Sequence, residues 1–295
     1  MRVVKLFASL LVVLLTCLSA QARDPSIPEY FIGRDLRATI PSGTYSGLAN
    51  PNFNRLTFLY AHTYTDTPSN NHYHSKSTYT YFGPNLGAGT AVQPFNGTAT
   101  GEPRNYLPEG AFGNSPRLQL LPGSGVFSGK LISGLTPGVD FADLQMRSVD
   151  WLAGEPSGSP KAILFNSGGS TPPGRWTGSM AGSILSLVLV GKSPDTFVAD
   201  QLGATILSNV GDSYLLGSGG ASPDFTPVFF TTDPTPRDLF LEFKLVDSGT
   251  GNAGGPWMES GVFRFNLVVP EPASLGLLGP VVFGLLRRRR GTRSH

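Results

Sequence analysis

Residues 238–247 read Asp-Leu-Phe-Leu-Glu-Phe-Lys-Leu-Val-Asp, with Leu239, Leu241, Phe243 and Leu245 two apart and Glu242 and Lys244 between them. A period of two puts the four apolar side chains on one face of an extended strand and the charged pair on the other. Residues 261–269 supply the second arm of a hairpin, across a loop at 248–260. This pair commits the chain to a sheet with one core-facing side.

Working outward, short apolar runs, each ended by a breaker, occupy 55–63, 72–82, 117–121, 125–133, 141–149, 162–166, 183–190, 204–207 and 213–216. Residues 24–54 form a turn-rich lead-in, broken at Pro41-Ser42-Gly43 and Asn50-Pro51-Asn52, and 83–116 carry no assignable strand. With 37 glycines and 25 prolines, few windows of a dozen residues can hold a regular helix. Short strands at this spacing predict an all-β fold, an antiparallel β-sandwich of jelly-roll-like or Ig-like type, over residues 23–268. The Gly-, Ser- and Pro-rich stretch 154–174 is the candidate subdivision. No repeat of fixed period is present, which argues against a solenoid or propeller.

The two ends read as addresses. Residues 1–22 have Arg2 and Lys5, an apolar run at 6–15, and Ala20-Gln21-Ala22, the pattern of a secretory signal peptide cleaved after an A-x-A site. Residues 269–293 run Val269-Pro270-Glu271-Pro272, then the uncharged stretch 273–286, then Arg287, Arg288, Arg289, Arg290 and Arg293. The two prolines keep the chain around Glu271 out of helix and sheet, and the arginines are a cytoplasmic stop. As a helix the apolar run would be about 21 Å long, short of the roughly 30 Å hydrocarbon core, so it suits a transient transmembrane segment better than a permanent anchor.

This tripartite tail resembles the PEP-CTERM sorting signal of Gram-negative bacteria. The resemblance implies export through the translocon, signal-peptidase cleavage, and a transient inner-membrane stage. An exosortase, a membrane-embedded cysteine peptidase, would then cut near the tripeptide. The protein would end at the cell surface or outside the cell, with exopolysaccharide as a candidate partner.

Removing leader and tail changes the charge. Two basic residues lie in the leader and five in the tail, which leaves 15 against 20 acidic residues, or about −5 for the mature domain. Nucleic-acid binding, which requires a basic face, is not expected. The only cysteine, Cys17, falls in the leader, so the mature chain has no thiol for a disulfide, a thiolate metal site or a nucleophile.

Three of the four histidines, His62, His72 and His74, lie within thirteen residues. His72 and His74 share a strand face, and a hairpin symmetric about Pro68 would set His62 opposite His74. Three neutral imidazoles with a water or a carboxylate suit zinc, and imidazole also suits copper and nickel. Asp66, in the connecting loop, is the nearest candidate for a fourth ligand. A register slip by one residue would turn His62 to the other face.

Segments 42–48, 52–54, 55–62 (Arg-Leu-Thr-Phe-Leu-Tyr-Ala-His) and 71–75 (Asn-His-Tyr-His-Ser) resemble a family of PEP-CTERM proteins controlled by the zinc-uptake regulator. The resemblance is strong over roughly residues 30–85 and loose elsewhere. It implies expression in zinc starvation and makes zinc the first metal to consider.

Catalysis finds little support. There is no G-x-S-x-G elbow. The pairs Asp140 and Asp143, or Asp233 and Asp238, read as turn acids rather than a glycosidase pair. Residues 247–252 lack the spaced acids of a calcium loop. Trp151, Trp176 and Trp257 read as core packing before a sugar platform. The expected function is therefore an exported, non-enzymatic protein binding zinc in zinc homeostasis. The alternative is a structural or adhesive component of the extracellular polysaccharide matrix, and a zinc-dependent hydrolase ranks third.

Overall fold

A computed structural model describes residues 24–83, 91–94, 117–133, 144–168, 174–220, 223–250 and 256–271. Ala20 and Ala22 of the leader, residues 273–286, Pro272, Arg287, Arg288, Arg289 and Arg290 of the tail, and Asp140 and Asp143 lie outside these residues. The fold is mostly β-strand in sheets. No helix among the described residues is long and apolar enough to cross a membrane.

The first sheet has four strands in the order β3 (His72–Ser75), β2 (Leu56–His62), β1 (Tyr30–Arg34) and β9 (Met146–Ser148). The second has five: β13 (Ser213–Ser218), β10 (Ile184–Lys192), β15 (Arg237–Asp247), β16 (Phe263–Val269) and β6 (Leu118–Gln119). The third has β12 (Thr205–Leu207), β11 (Thr196–Ala199), β14 (Val228–Thr231), β8 (Leu131–Ile132) and β7 (Leu121–Pro122). A separate pair joins β4 (Tyr79–Phe82) to β5 (Ala91–Pro94).

The expected hairpin is present, with β15 antiparallel to β16 and Leu241 opposite Phe265. Leu239, Leu241, Phe243 and Leu245 are buried, while Glu242 and Lys244 are half-buried. Their shared inner face meets both other sheets. Phe58 stacks on Phe263 with centroids 4.0 Å apart, Tyr30 meets Phe265 at 5.5 Å, and Phe229 of the third sheet meets Phe265 at 5.0 Å. The principal hydrophobic cluster draws on residues from both sides of 154–174, Leu56 and Leu241 among them.

β2 is buried along its whole length. Its other face, with that of β1, is covered by residues 149–165: Phe31 meets Trp151 at 6.3 Å, and Asn71 donates to the Pro160 carbonyl at 3.1 Å.

Several elements differ from the sequence expectation. Residues 162–166, expected as strand, belong to the helix α1 (Pro160–Phe165), because Ser159 caps it by accepting from Ala162 N–H and Pro160 takes the first turn. Ala162 to Phe165 are all apolar, and so short a run does not distinguish strand from helix. Residues 125–133 do not form one strand: Gly125 and Gly129 take positive φ, and a 3-10 turn precedes β8.

The expected strand 72–82 divides into β3 and β4 at Ser77, whose φ is +56°. There the Ser77 hydroxyl accepts from Phe58 N–H, replacing a ladder carbonyl, and its own carbonyl accepts from Gly261 N–H. A Cβ at position 261 would lie 2.6 Å from that carbonyl oxygen, so the approach requires glycine.

Three strands had no sequence signal strong enough to assign: β1, inside the lead-in, and β11 and β14. β1 and β14 are buried nearly throughout, so they carry no alternation. β5 likewise falls in the stretch expected to lack strands. The pairing is not wholly antiparallel, because β1–β9 and β16–β6 are parallel. Both join segments more than a hundred residues apart, which leaves ample chain for the crossover that parallel pairing needs.

Phe58 joins the first sheet to the second through Phe263 and stacks on Tyr30 within its own sheet. Phe58→Ala is expected to lower unfolding free energy by about 3–5 kcal/mol. Urea unfolding of both proteins measures this, and a loss below about 1 kcal/mol would show that the stack is not central to stability.

Candidate metal centre

His62 ends β2, and His72 and His74 lie on the edge strand β3. The register pairs His62 with His72 and Tyr60 with His74, so His62 is not opposite His74 as a hairpin symmetric about Pro68 would place it. The reason lies in the connection. Tyr64 N–H donates to the Asn71 side chain at 2.8 Å, and Asn71 N–H donates back to the Pro68 carbonyl, closing a 3-10 turn over Pro68–Asn70. A shift of two residues preserves the face, so the three imidazoles still converge.

Their ring centroids are 4.5 Å apart for His62 and His74, 4.8 Å for His72 and His74, and 5.1 Å for His62 and His72. One nitrogen from each lies within 4.8 Å of the others, a set that could hold a metal ion. Asp66 is exposed in the loop and does not belong to this group.

The surrounding contacts orient the rings. His72 Nδ1 lies 2.7 Å from the Asn70 carbonyl, which can only accept, so Nδ1 bears the proton and Nε2 is left with a lone pair. His72 Nε2 is 2.9 Å from His74 Nε2, so the His74 nitrogen is the donor between them. His62 Nδ1 is 3.0 Å from the Tyr64 hydroxyl. If His62 donates there, its Nε2 also presents a lone pair, an arrangement in which outer hydrogen bonds set the ligand tautomer.

His62 is buried, with the Tyr60 ring edge-on at 4.9 Å. Burial, reinforced by His74, His72 and Lys76, pushes its pKa down to about 3, so it is neutral near pH 7. A neutral imidazole in partly apolar surroundings is a ligand that need not lose a proton to bind metal.

The Tyr64 hydroxyl and the Asn70 carbonyl were not among the sequence candidates. Tyr64 lies two residues beyond His62, and continuing the strand period through the loop would have found it. The Asn70 carbonyl depends on the 3-10 turn and has no sequence signal.

Val269 is the last residue of β16, opposite Arg237, Pro270 is buried and Glu271 is exposed beyond the strand. Asp233 accepts from Thr235 N–H and pairs with Arg237; the Thr235 hydrogen bonds are the main cause of a pKa held down to about 2. Asp238 pairs with Arg117 at 3.0 Å. Asp247 accepts from the backbone N–H groups of Ile184, Gly249 and Trp257. Trp176 and Trp257 are buried, and Trp151 is half-buried between Arg147 and Lys161. The aspartates and tryptophans are thus engaged in structural contacts.

Compared with known proteins, the chain matches no family model, no curated sequence and no solved structure.

The depressed His62 pKa has a consequence for stability. Unfolded, His62 takes up a proton near pH 6.5, but folded only near pH 3, so acid favours the unfolded chain throughout that interval. Melting temperature measured in chelator should therefore fall as pH drops from 7 toward 4, and fall less in His62→Leu. Parallel pH profiles for the two proteins would contradict the burial of a neutral His62.

Proposed function

We propose that this protein is exported and sorted to the cell surface or medium, and that His62, His72 and His74 bind zinc there as part of zinc homeostasis. The observation that carries the reading is the convergence of three imidazoles at the end of one hairpin. Zinc–nitrogen bonds of about 2.0–2.1 Å at tetrahedral angles set ligand nitrogens about 3.3 Å apart. The 2.9 Å separation of His72 and His74, and a spread within 4.8 Å for all three, need only small ring movements to meet that value. Zinc would replace the proton that His74 now shares with His72.

Three neutral ligands leave the ion its full charge and one open position for water or an outside donor. Among the described residues no carboxylate belongs to the histidine group, which favours binding over hydrolysis as its role. The choice of zinc over copper or nickel rests on the resemblance to zinc-regulated PEP-CTERM proteins. Export rests on the leader and the Val269-Pro270-Glu271-Pro272 tail. Packing of the sheets through Phe58, Phe263, Phe265 and Phe229 supports a sandwich as the carrier of the site.

Zinc should raise the melting temperature near neutral pH, because a ligand that binds only the folded state stabilises it, by roughly 2.7 kcal/mol at a hundredfold excess over Kd. His72→Ala with His74→Ala should abolish both this shift and stoichiometric zinc in metal analysis, while leaving the metal-free melting curve nearly unchanged. Equal melting with and without zinc would reject the site.

Deleting residues 273–295 should leave the β fold soluble but change its destination, read by cell fractionation. An insoluble product would show that the tail belongs to the fold.

A further inference from the structure

Away from the histidines, a cavity of about 250 Å³ opens between the lead-in and the start of β4, lined among others by Arg37, Arg175, Ile40, Pro51, Thr78 and Thr80. Its chemistry is set by Asp35, whose side chain is fully buried. Asp35 Oδ1 accepts from Arg37 N–H, and Oδ2 accepts from Asn50 Nδ2 and from Arg175 Nε and Nη2, at 3.0, 3.0 and 2.5 Å. The one carboxylate is thus fully engaged.

The cavity asparagines are equally committed. Asn50 and Asn52 bond to each other, and Asn52 also accepts from Tyr79 N–H and donates to the Tyr79 carbonyl.

The two guanidinium groups are only partly used. Arg37 donates through Nη2 to the Gly168 carbonyl at 2.6 Å, which leaves its Nε and Nη1, with Nη1 of Arg175, free of protein acceptors among the described residues. Among the described residues, two cations against one buried carboxylate leave a net positive site. Desolvation, and then the neighbouring Arg175, hold Arg37 below the ordinary arginine pKa, with Asp35 opposing in part. A bound anion would offset both effects by favouring the charged guanidinium.

We propose that this cavity binds a compact carboxylate about the size of one sugar-acid ring. The free guanidinium donors of Arg37 and Arg175 can pair with carboxylate oxygens through charge-assisted hydrogen bonds. Thr78 and Thr80 offer hydroxyls, and Ile40 with Pro51 offers an apolar wall for a ring face. The volume lies below the roughly 300–1,000 Å³ of drug-sized sites, so one ring fits and a longer ligand must extend into solvent. The carboxylate can come from a free acid or from a uronate unit of a polymer.

Calorimetric titration of the full chain with glucuronate, glucose, sulfate and an oligoglucuronate tests this. Glucuronate should bind one to one and at least tenfold more tightly than glucose or sulfate. Arg37→Gln removes a guanidinium whose one side-chain hydrogen bond among the described residues is to Gly168, and should weaken glucuronate tenfold or more with a nearly unchanged melting temperature. Tighter binding of the oligomer would identify the polymer as the source, and equal or weaker binding the free acid. The proposal is overturned if glucose or sulfate binds as well as glucuronate, if nothing binds, or if Arg37→Gln binds normally. His72→Ala should leave the titration unchanged, which separates this site from zinc binding.

Discussion

Stacking of Phe58 on Phe263 at 4.0 Å ties the first sheet to the second, and most of the fold depends on this contact between strands remote in sequence. Tyr30 extends the stack at 5.2 Å from Phe58, Tyr60 follows at 5.7 Å, and His62 meets the Tyr60 edge at 4.9 Å. Aromatic groups in these geometries contribute beyond the area they bury. The imidazole thus sits at the end of the core rather than on a free surface. That position makes it neutral and fixes its direction.

A second constraint is polar. Short side chains complete backbone hydrogen bonding where strands stop or bend: Ser77 for Phe58, Asp247 for Ile184, Gly249 and Trp257, and Ser260 for Leu245. Those to Phe58, Gly249, Trp257 and Leu245 satisfy buried N–H groups that would otherwise cost roughly 1–3 kcal/mol each. The same device, centred on Asp35 and Asn50, holds the irregular segment before β2 and shapes the cation-rich cavity. A chain rich in glycine and proline can therefore keep a well-defined core with few regular elements.

The two candidate sites differ in how they are held. The histidine centre is built on a hairpin, with Asn70 and Tyr64 orienting its rings. The arginine cavity is charged and built on loops, with its one carboxylate spent inside the protein. Among the described residues the histidine group includes no carboxylate, and Lys76 lies near His62.

Strict alternation in 238–247 and the i, i+2 spacing of His72 and His74 determined by themselves a half-buried hairpin and a shared histidine face, because side-chain direction in a strand follows position alone. Four features became visible only in the folded chain. β1 and β14 are buried nearly throughout, so their runs carry no period, and only their neighbours define them. The segment after Ser159 became α1 because a capping side chain and Pro160 outweighed an ambiguous apolar run. The pairing of His62 with His72 was set by Asn71 and the 3-10 turn. Arg37, Asp35 and Arg175 meet across about 140 residues, a proximity that no local pattern encodes, because it arises only when distant loops pack on one core.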